Sequence, residues 1–183
     1  LAYLGAEVPL ALAAVADHVI QCMQHRGPDD SGIHTDGSVI LAHRRLSIID
    51  PSEAGHQPMA NKDGTTWIVY NGEVYNYREL RSRVSNYEFD SETDTEVILA
   101  LYDEYGTDCL NMLRGMFAFA IWDAERERLF LARDRLGQKP LFYHYDETGF
   151  RFGSTIKAIL ADVAVEAEPD LDAIRSFLTY QYV

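Results

Sequence analysis

The sequence predicts an α+β fold, a four-layer α-β-β-α sandwich of two mainly antiparallel sheets with helices outside. Two observations predict it. Strand-like segments cluster early and late in the chain, with helix-patterned segments between and around them. The segments 39–49 and 66–71 are also apolar on both faces, Val39 and Leu41 lying on one parity and Leu46 and Ile48 on the other, the signature of strands covered on both sides.

The elements follow in order. Leu1–Gly5 is short and apolar and reads as a strand. Leu12, Val15, Val19, Cys22 and Met23 recur at helical spacing, so the spacing predicts an amphipathic helix over 10–24. Gly27-Pro28-Asp29-Asp30 breaks it into a loop. Strands are expected over 39–49 and 66–71. Val97, Ile98, Leu101 and Tyr102 share one face of a helix over 94–105, and a short helix follows at 108–113. Residues 117–123, 128–134, 141–145 and 150–154 read as strands, with a polar turn at 124–127, and 156–160 as a short helix. Acidic, aperiodic 163–169 ends in proline and reads as a linker. Asp170 or Asp172 then caps a last helix over 171–180. The expected division is a domain over 1–162, a linker over 163–170, and the beginning of a second, truncated domain over 171–183.

Composition narrows the function. A chain of 183 residues with 47% hydrophobic and 25% charged residues is ordinary for one globular domain. A net charge of −13 argues against nucleic acid and against an anionic membrane surface, both of which select clustered Lys and Arg. No apolar run reaches membrane-spanning length and no signal-like core opens the chain, so a cytoplasmic location is the default. Two cysteines, Cys22 and Cys109, make no disulfide framework, and each sits in an apolar pattern that disfavours a reactive thiol. His25, His34, His43, His56 and His144 lack metal-ligand spacing, so no metal is expected.

Three positions carry recognisable chemistry. Arg45 ends a strand-like run, and its planar fork suits a carboxylate, although a surface arginine or structural ion pair fits as well. Strand alternation sends Arg44 to the opposite side. Asn71-Gly72-Glu73 is either a hairpin tip or a source of N–H donors for a developing oxyanion. Asp94 is either a helix N-cap or an acceptor for a cation.

Six blocks decide among these readings: HRGPDDSG from His25, LAHRRLSIID from Leu41, YNGEVYNY from Tyr70, SETDTEVILALY from Ser91, GMFAFAIWD from Gly115 and ARDRLGQKPLFY from Ala132. In this order they resemble the glutaminase domain of glutamine-hydrolysing asparagine synthetases, a class II glutamine amidotransferase domain. The resemblance implies an N-terminal-nucleophile hydrolase fold and hydrolysis of glutamine to glutamate and ammonia through a cysteine thioester. It implies that Arg45 holds the α-carboxylate of glutamine and that Leu46 and Ile48 offer backbone carbonyls to its α-ammonium. Asp94 would accept from the same ammonium, Asn71 and Gly72 would form the oxyanion hole, and Glu73 would line the glutamine pocket. Arg26 and Asp29 would organise the floor of the site.

The implied nucleophile is a cysteine just before Leu1, because Leu1-Ala2-Tyr3 looks like the continuation of the family's Cys-initiated start. This domain would need no cofactor; a C-terminal synthetase domain in cis would use ATP and magnesium, and a homodimer is compatible with the resemblance. HRGPD disfavours the purine and glucosamine amidotransferases, which carry a different variant of this loop. Other ATP-dependent amide-forming enzymes, and a glutamine-binding module without its cysteine, stay open as alternatives.

Overall fold

The computed structural model describes residues 2–4 and 10–181. Two antiparallel sheets form its middle. The first has the strand order β2 (Asp30–Asp36), β3 (Val39–Arg45), β1 (Ala2–Leu4), β9 (Gly149–Gly153) and β8 (Phe142–Asp146). The second runs β4 (Met59–Ala60), β5 (Thr66–Val74), β6 (Gly115–Asp123) and β7 (Arg128–Arg133). Every neighbouring pair is antiparallel. Helix α1 (Leu10–Cys22) covers β3 and α4 (Ile156–Ile159) covers β9, while α3 (Asp94–Tyr105), joined by α2 (Tyr77–Arg81), covers β5. The predicted four layers are all present.

Three apolar seams join these layers. Between the sheets, Val39, Leu41 and Phe152 meet Val69, Ala120 and Trp122. Ile40 and Ala42 on the other face of β3 meet Ala16 of α1. Ile68, Tyr70, Phe119 and Ile121 pack on Val97, Ile98 and Leu101 of α3. Val39, Ile40 and Leu41 are each fully buried, and a fully buried aliphatic side chain contributes roughly 1.5–3 kcal/mol, so this stretch alone ties three layers together.

The double-sided burial of β3 comes from other residues than those expected. The strand ends at Arg45, and Leu46 and Ile48, 56% and 80% exposed, belong to the loop after it. Ile40 and Ala42 supply the second face. The loop expected at 27–30 gives way at Asp30 to β2, a polar edge strand whose DSGIHTD sequence has no apolar alternation to announce it. Strand β4 and helix α2 were too short for a periodic signal. The ends of the strand expected over 1–5 lie outside the described residues.

Asn71-Gly72 is not a turn. β5 runs through it to Val74, with Asn71 opposite Ala118 and Gly72 opposite Phe117. Pairing along nine residues outweighs a two-residue turn preference, and the chain bends instead at 75–76. There the Asn76 side chain accepts from the Arg114 N–H and donates to the Met112 carbonyl.

Helix α3 spans the expected residues, but its cap is Thr93 rather than Asp94. Thr93 Oγ1 accepts from the Glu96 N–H, and the Glu96 carboxylate reaches back to the Asp90 and Ser91 N–H groups, a variant of the capping box. Asp94 is thereby released for other work. At α5 (Leu171–Tyr180) the cap is Asp170, whose Oδ1 accepts from the Asp172 and Ala173 N–H groups; this helix contributes no buried residue.

Candidate active site

Strand β5 outruns its neighbour β4, and the site grows from that mismatch. Antiparallel pairing sends the N–H and C=O groups of alternate residues to opposite sides. Ile68 opposite Met59 and Thr66 bonded to Asn61 mark the even-numbered residues as those facing β4. Past Ile68 no strand remains to receive them, so side chains do. Gln57 Oε1 accepts from the Tyr70 N–H at 2.7 Å, His43 Nε2 lies 3.0 Å from the Tyr70 carbonyl, and Asp94 Oδ2 accepts from the Val74 N–H at 2.8 Å. Between these clamps the Gly72 N–H meets no side-chain acceptor among the described residues. A side chain there is excluded by close approach, since a Cβ on Gly72 would lie 2.3 Å from the Met116 carbonyl oxygen.

Asp94 is the fixed acid of the site. It is 4% exposed and accepts from Tyr70 Oη at 2.6 Å as well as from Val74. Burial and the neighbouring Asp94 carboxylate push the Tyr70 phenol far above its ordinary range, so it stays a donor. Gln57 is 5% exposed and also donates to Thr95 Oγ1, which binds the start of α3 to the segment before β4.

Arg45 arrives from the other sheet. It is 7% exposed, yet it forms no ion pair among the described residues. Its fork donates to backbone carbonyls instead: Nη1 to Ser52 at 3.0 Å, Nη2 to Ile49 at 3.2 Å and to Asp50. The guanidinium packs against Gly55, where a Cβ would sit 1.9 Å from Nη2. Arg44, one step along the strand, turns the other way and donates from Nε to the Gly27 carbonyl. Asp29 accepts from the Ser47 N–H at 2.7 Å and its own N–H donates to the Arg45 carbonyl, so the Gly27–Asp29 segment props the end of β3.

These walls enclose one cavity of about 310 Å³, at the lower end of the range for small-molecule sites. Arg45, Leu46, Ile48, Asn71, Gly72, Glu73 and Asp94 all line it, as does Arg26. All seven residues assigned from sequence to substrate are therefore brought together from three separate segments. The sequence reading missed His43, Gln57 and Tyr70. His43 had a signal, since it shares the strand face of Arg45; Gln57, in a loop, had none.

The cavity offers a buried cation, a buried carboxylate, a half-buried amide at Asn71 and an open backbone N–H. It suits a small zwitterion carrying a carbonyl on which negative charge develops. Neither cysteine lines it. Cys109 is fully buried and burial pushes its thiol up to about 12, while Cys22 is half-buried on α1 with Sγ 3.4 Å from His18 Nε2. Among the described residues no group of three or more His, Cys, Asp or Glu side chains could hold a metal, and no helix is long and apolar enough to cross a membrane.

The layered fold is that of the N-terminal-nucleophile hydrolases. A solved glutamine phosphoribosylpyrophosphate amidotransferase from B. subtilis superposes with a TM-score of 0.71 at 21% identity, over 87% of this chain and 42% of that one. A second, described as the allosteric regulatory enzyme of purine biosynthesis, gives 0.69 at 20% identity. The sequence profile described as "Glutamine amidotransferase domain" matches residues 4–183, and the chain belongs to that family.

Within the family it is similar to asparagine synthetase [glutamine-hydrolyzing] 3 of Bacillus subtilis (strain 168), 46% identical over 158 residues, covering 84% of this chain and 26% of the relative. Asparagine synthetase B [glutamine-hydrolyzing] of Escherichia coli (strain K12) is 47% identical over 140 residues, 75% of this chain and 25% of the relative. A putative asparagine synthetase of Methanocaldococcus jannaschii is 40% identical over 183 residues, 89% and 35%. The chain thus spans about a quarter to a third of the length of these relatives.

Proposed function

We propose that this domain hydrolyses glutamine to glutamate and ammonia through a thioester on a cysteine that precedes Leu1. The single observation that carries the reading is the open Gly72 N–H beside Asn71, in a cavity that also presents Arg45 and Asp94. The Arg45 fork, held by three carbonyls, keeps unused N–H groups and its full charge for the α-carboxylate. Asp94, whose Oδ2 is already engaged, accepts from the α-ammonium through Oδ1, aided by the carbonyls of Leu46 and Ile48. Glu73 lines the same pocket.

The chemistry follows. The cysteine thiol attacks the amide carbon and its proton passes to the cysteine's own α-amino group. The oxyanion that forms is held by the Asn71 side-chain amide and the Gly72 N–H. The α-ammonium returns the proton to the leaving nitrogen as ammonia departs, and water then hydrolyses the thioester. The direction of β1 supports this placement. Its first described residue, Ala2, pairs with Leu41, next to Ala42 and His43, both of which line the cavity.

In the complete protein, residues 1–162 form this glutaminase, 163–170 a linker, and 171–183 the start of a synthetase domain that amidates aspartate with ATP and magnesium. The glutaminase itself needs no cofactor, and the protein works in the cytoplasm. A glutamine-analogue electrophile tests the reading. It should label the N-terminal cysteine of the full-length protein and leave the Leu1 form untouched. Labelling of Cys22 or Cys109 with matching ammonia release would overturn it.

A further inference from the structure

We propose that His43 is a positioning residue for the oxyanion hole: its Nε2–H clamps the Tyr70 carbonyl and so fixes the two peptides that carry Asn71 and the Gly72 N–H. The inference rests on the glutamine hydrolysis proposed above and adds a residue to it.

The argument begins with the row of edge groups on β5. In chain order these are the Tyr70 N–H and C=O, the Gly72 N–H and C=O, and the Val74 N–H. Gln57 holds the first and Asp94 the last. His43, reaching across from β3 in the other sheet, holds the Tyr70 C=O, the group immediately before the open Gly72 N–H. That carbonyl belongs to the Tyr70–Asn71 peptide, whose orientation sets where the Asn71 side chain starts. The next peptide, Asn71–Gly72, carries the donor itself. No strand lies on this side to fix either, so the imidazole does what a strand partner would otherwise do.

The protonation of His43 fits this use. A carbonyl oxygen only accepts, so the ring proton sits on Nε2. Burial pulls the imidazole down to about 4, with the bond to Tyr70 opposing, so the ring is neutral at pH 7 and its one N–H is committed to this contact. Nδ1 is buried and meets no partner among the described residues. An apolar side chain would fill the same space without stranding an acceptor. Among the described residues, the Nε2–H is therefore the only polar contact the ring makes.

Substitution separates this role from packing. The side-chain nitrogen of glutamine is as many bonds from Cα as histidine Nε2, whereas that of asparagine is one bond short. In the full-length protein, His43→Asn should lower kcat for ammonia release from glutamine by about 10- to 100-fold, with KM within about twofold, because the substrate's two charges are held elsewhere. Hydrogen exchange in the peptide covering 69–74 should accelerate about tenfold or more. His43→Gln should restore both to within about threefold. Unchanged kcat and exchange in His43→Asn, or equal losses in the two variants, would refute the clamp. A wild type that releases no ammonia would overturn the functional reading, and the exchange rates would still decide the clamp.

Discussion

The two walls of the cavity are built differently. On the α3 wall, Asp94, Tyr70 and Thr95 are buried and rooted in a nine-residue strand and a twelve-residue helix, and buried Gln57 bonds the two together. On the β3 wall, Arg45 is buried, but the carbonyls that hold it lie in the loop 49–52, and its neighbours Leu46 and Ile48 are exposed. The acid of the site is therefore part of the core, while the base is held by a loop. Substitutions on the first wall should cost folding and function together. On the second, function should be lost more readily than stability.

The largest expected effect is at Asp94. Asp94→Ala strands the Tyr70 hydroxyl and the Val74 N–H in the core, a loss of about 3 kcal/mol in urea unfolding. Glutamine turnover should fall by about a hundredfold or more, since an ammonium contact and the frame of the oxyanion hole go together. A stable, inactive Asp94→Ala would break the comparison, because the acid would then be a site residue without a core role.

Arg45→Lys comes next. It forfeits the bidentate fork and part of the hold on the loop, so KM for glutamine should rise about tenfold or more, with a smaller cost of about 1–2 kcal/mol in stability. Ammonia-dependent synthesis by the full-length protein should survive. An equal fall in both activities would make Arg45 a folding residue.

A third effect reports on His43, between the walls. Its folded-state pKa of about 4 lies below the ordinary 6.5. The unfolded chain therefore binds more protons between these values, and stability should fall as pH drops from 6.5 toward 4. Unfolding free energies of His43→Gln against wild type across that window isolate the contribution, and parallel curves would contradict it. The smallest effects belong to Leu46→Ser and Ile48→Ser. Each should change stability by less than about 0.5 kcal/mol while altering KM for glutamine by a few-fold. A large stability loss would show that the β3 wall is core after all.

Much of this could be read without coordinates. The layered class, the span of α3 and seven residues that line the cavity were legible because apolar periodicity and six ordered motifs survive in the linear text. What it hid is equally specific. β2, a polar edge strand, buries too little to leave a pattern, and Leu46 and Ile48 look like strand residues although the strand has ended. Asn71-Gly72 carries a turn signal that nine paired residues override. Thr93 and Asp94 are both good caps, and only the positions of Tyr70 and Val74 decide which one is free to leave the helix end.

The sequence by itself determined the kinds of chemistry present: a guanidinium, a carboxylate, an amide and a glycine within recognisable motifs. The resemblance placed them around one substrate; tertiary structure alone decided that β5 outruns β4 so that its backbone must find side-chain partners. The physical reason is that each backbone donor and acceptor is satisfied by whatever lies beside it in space. The sequence does not record that β4 stops at Ala60, and so it does not record the opening at Gly72 either.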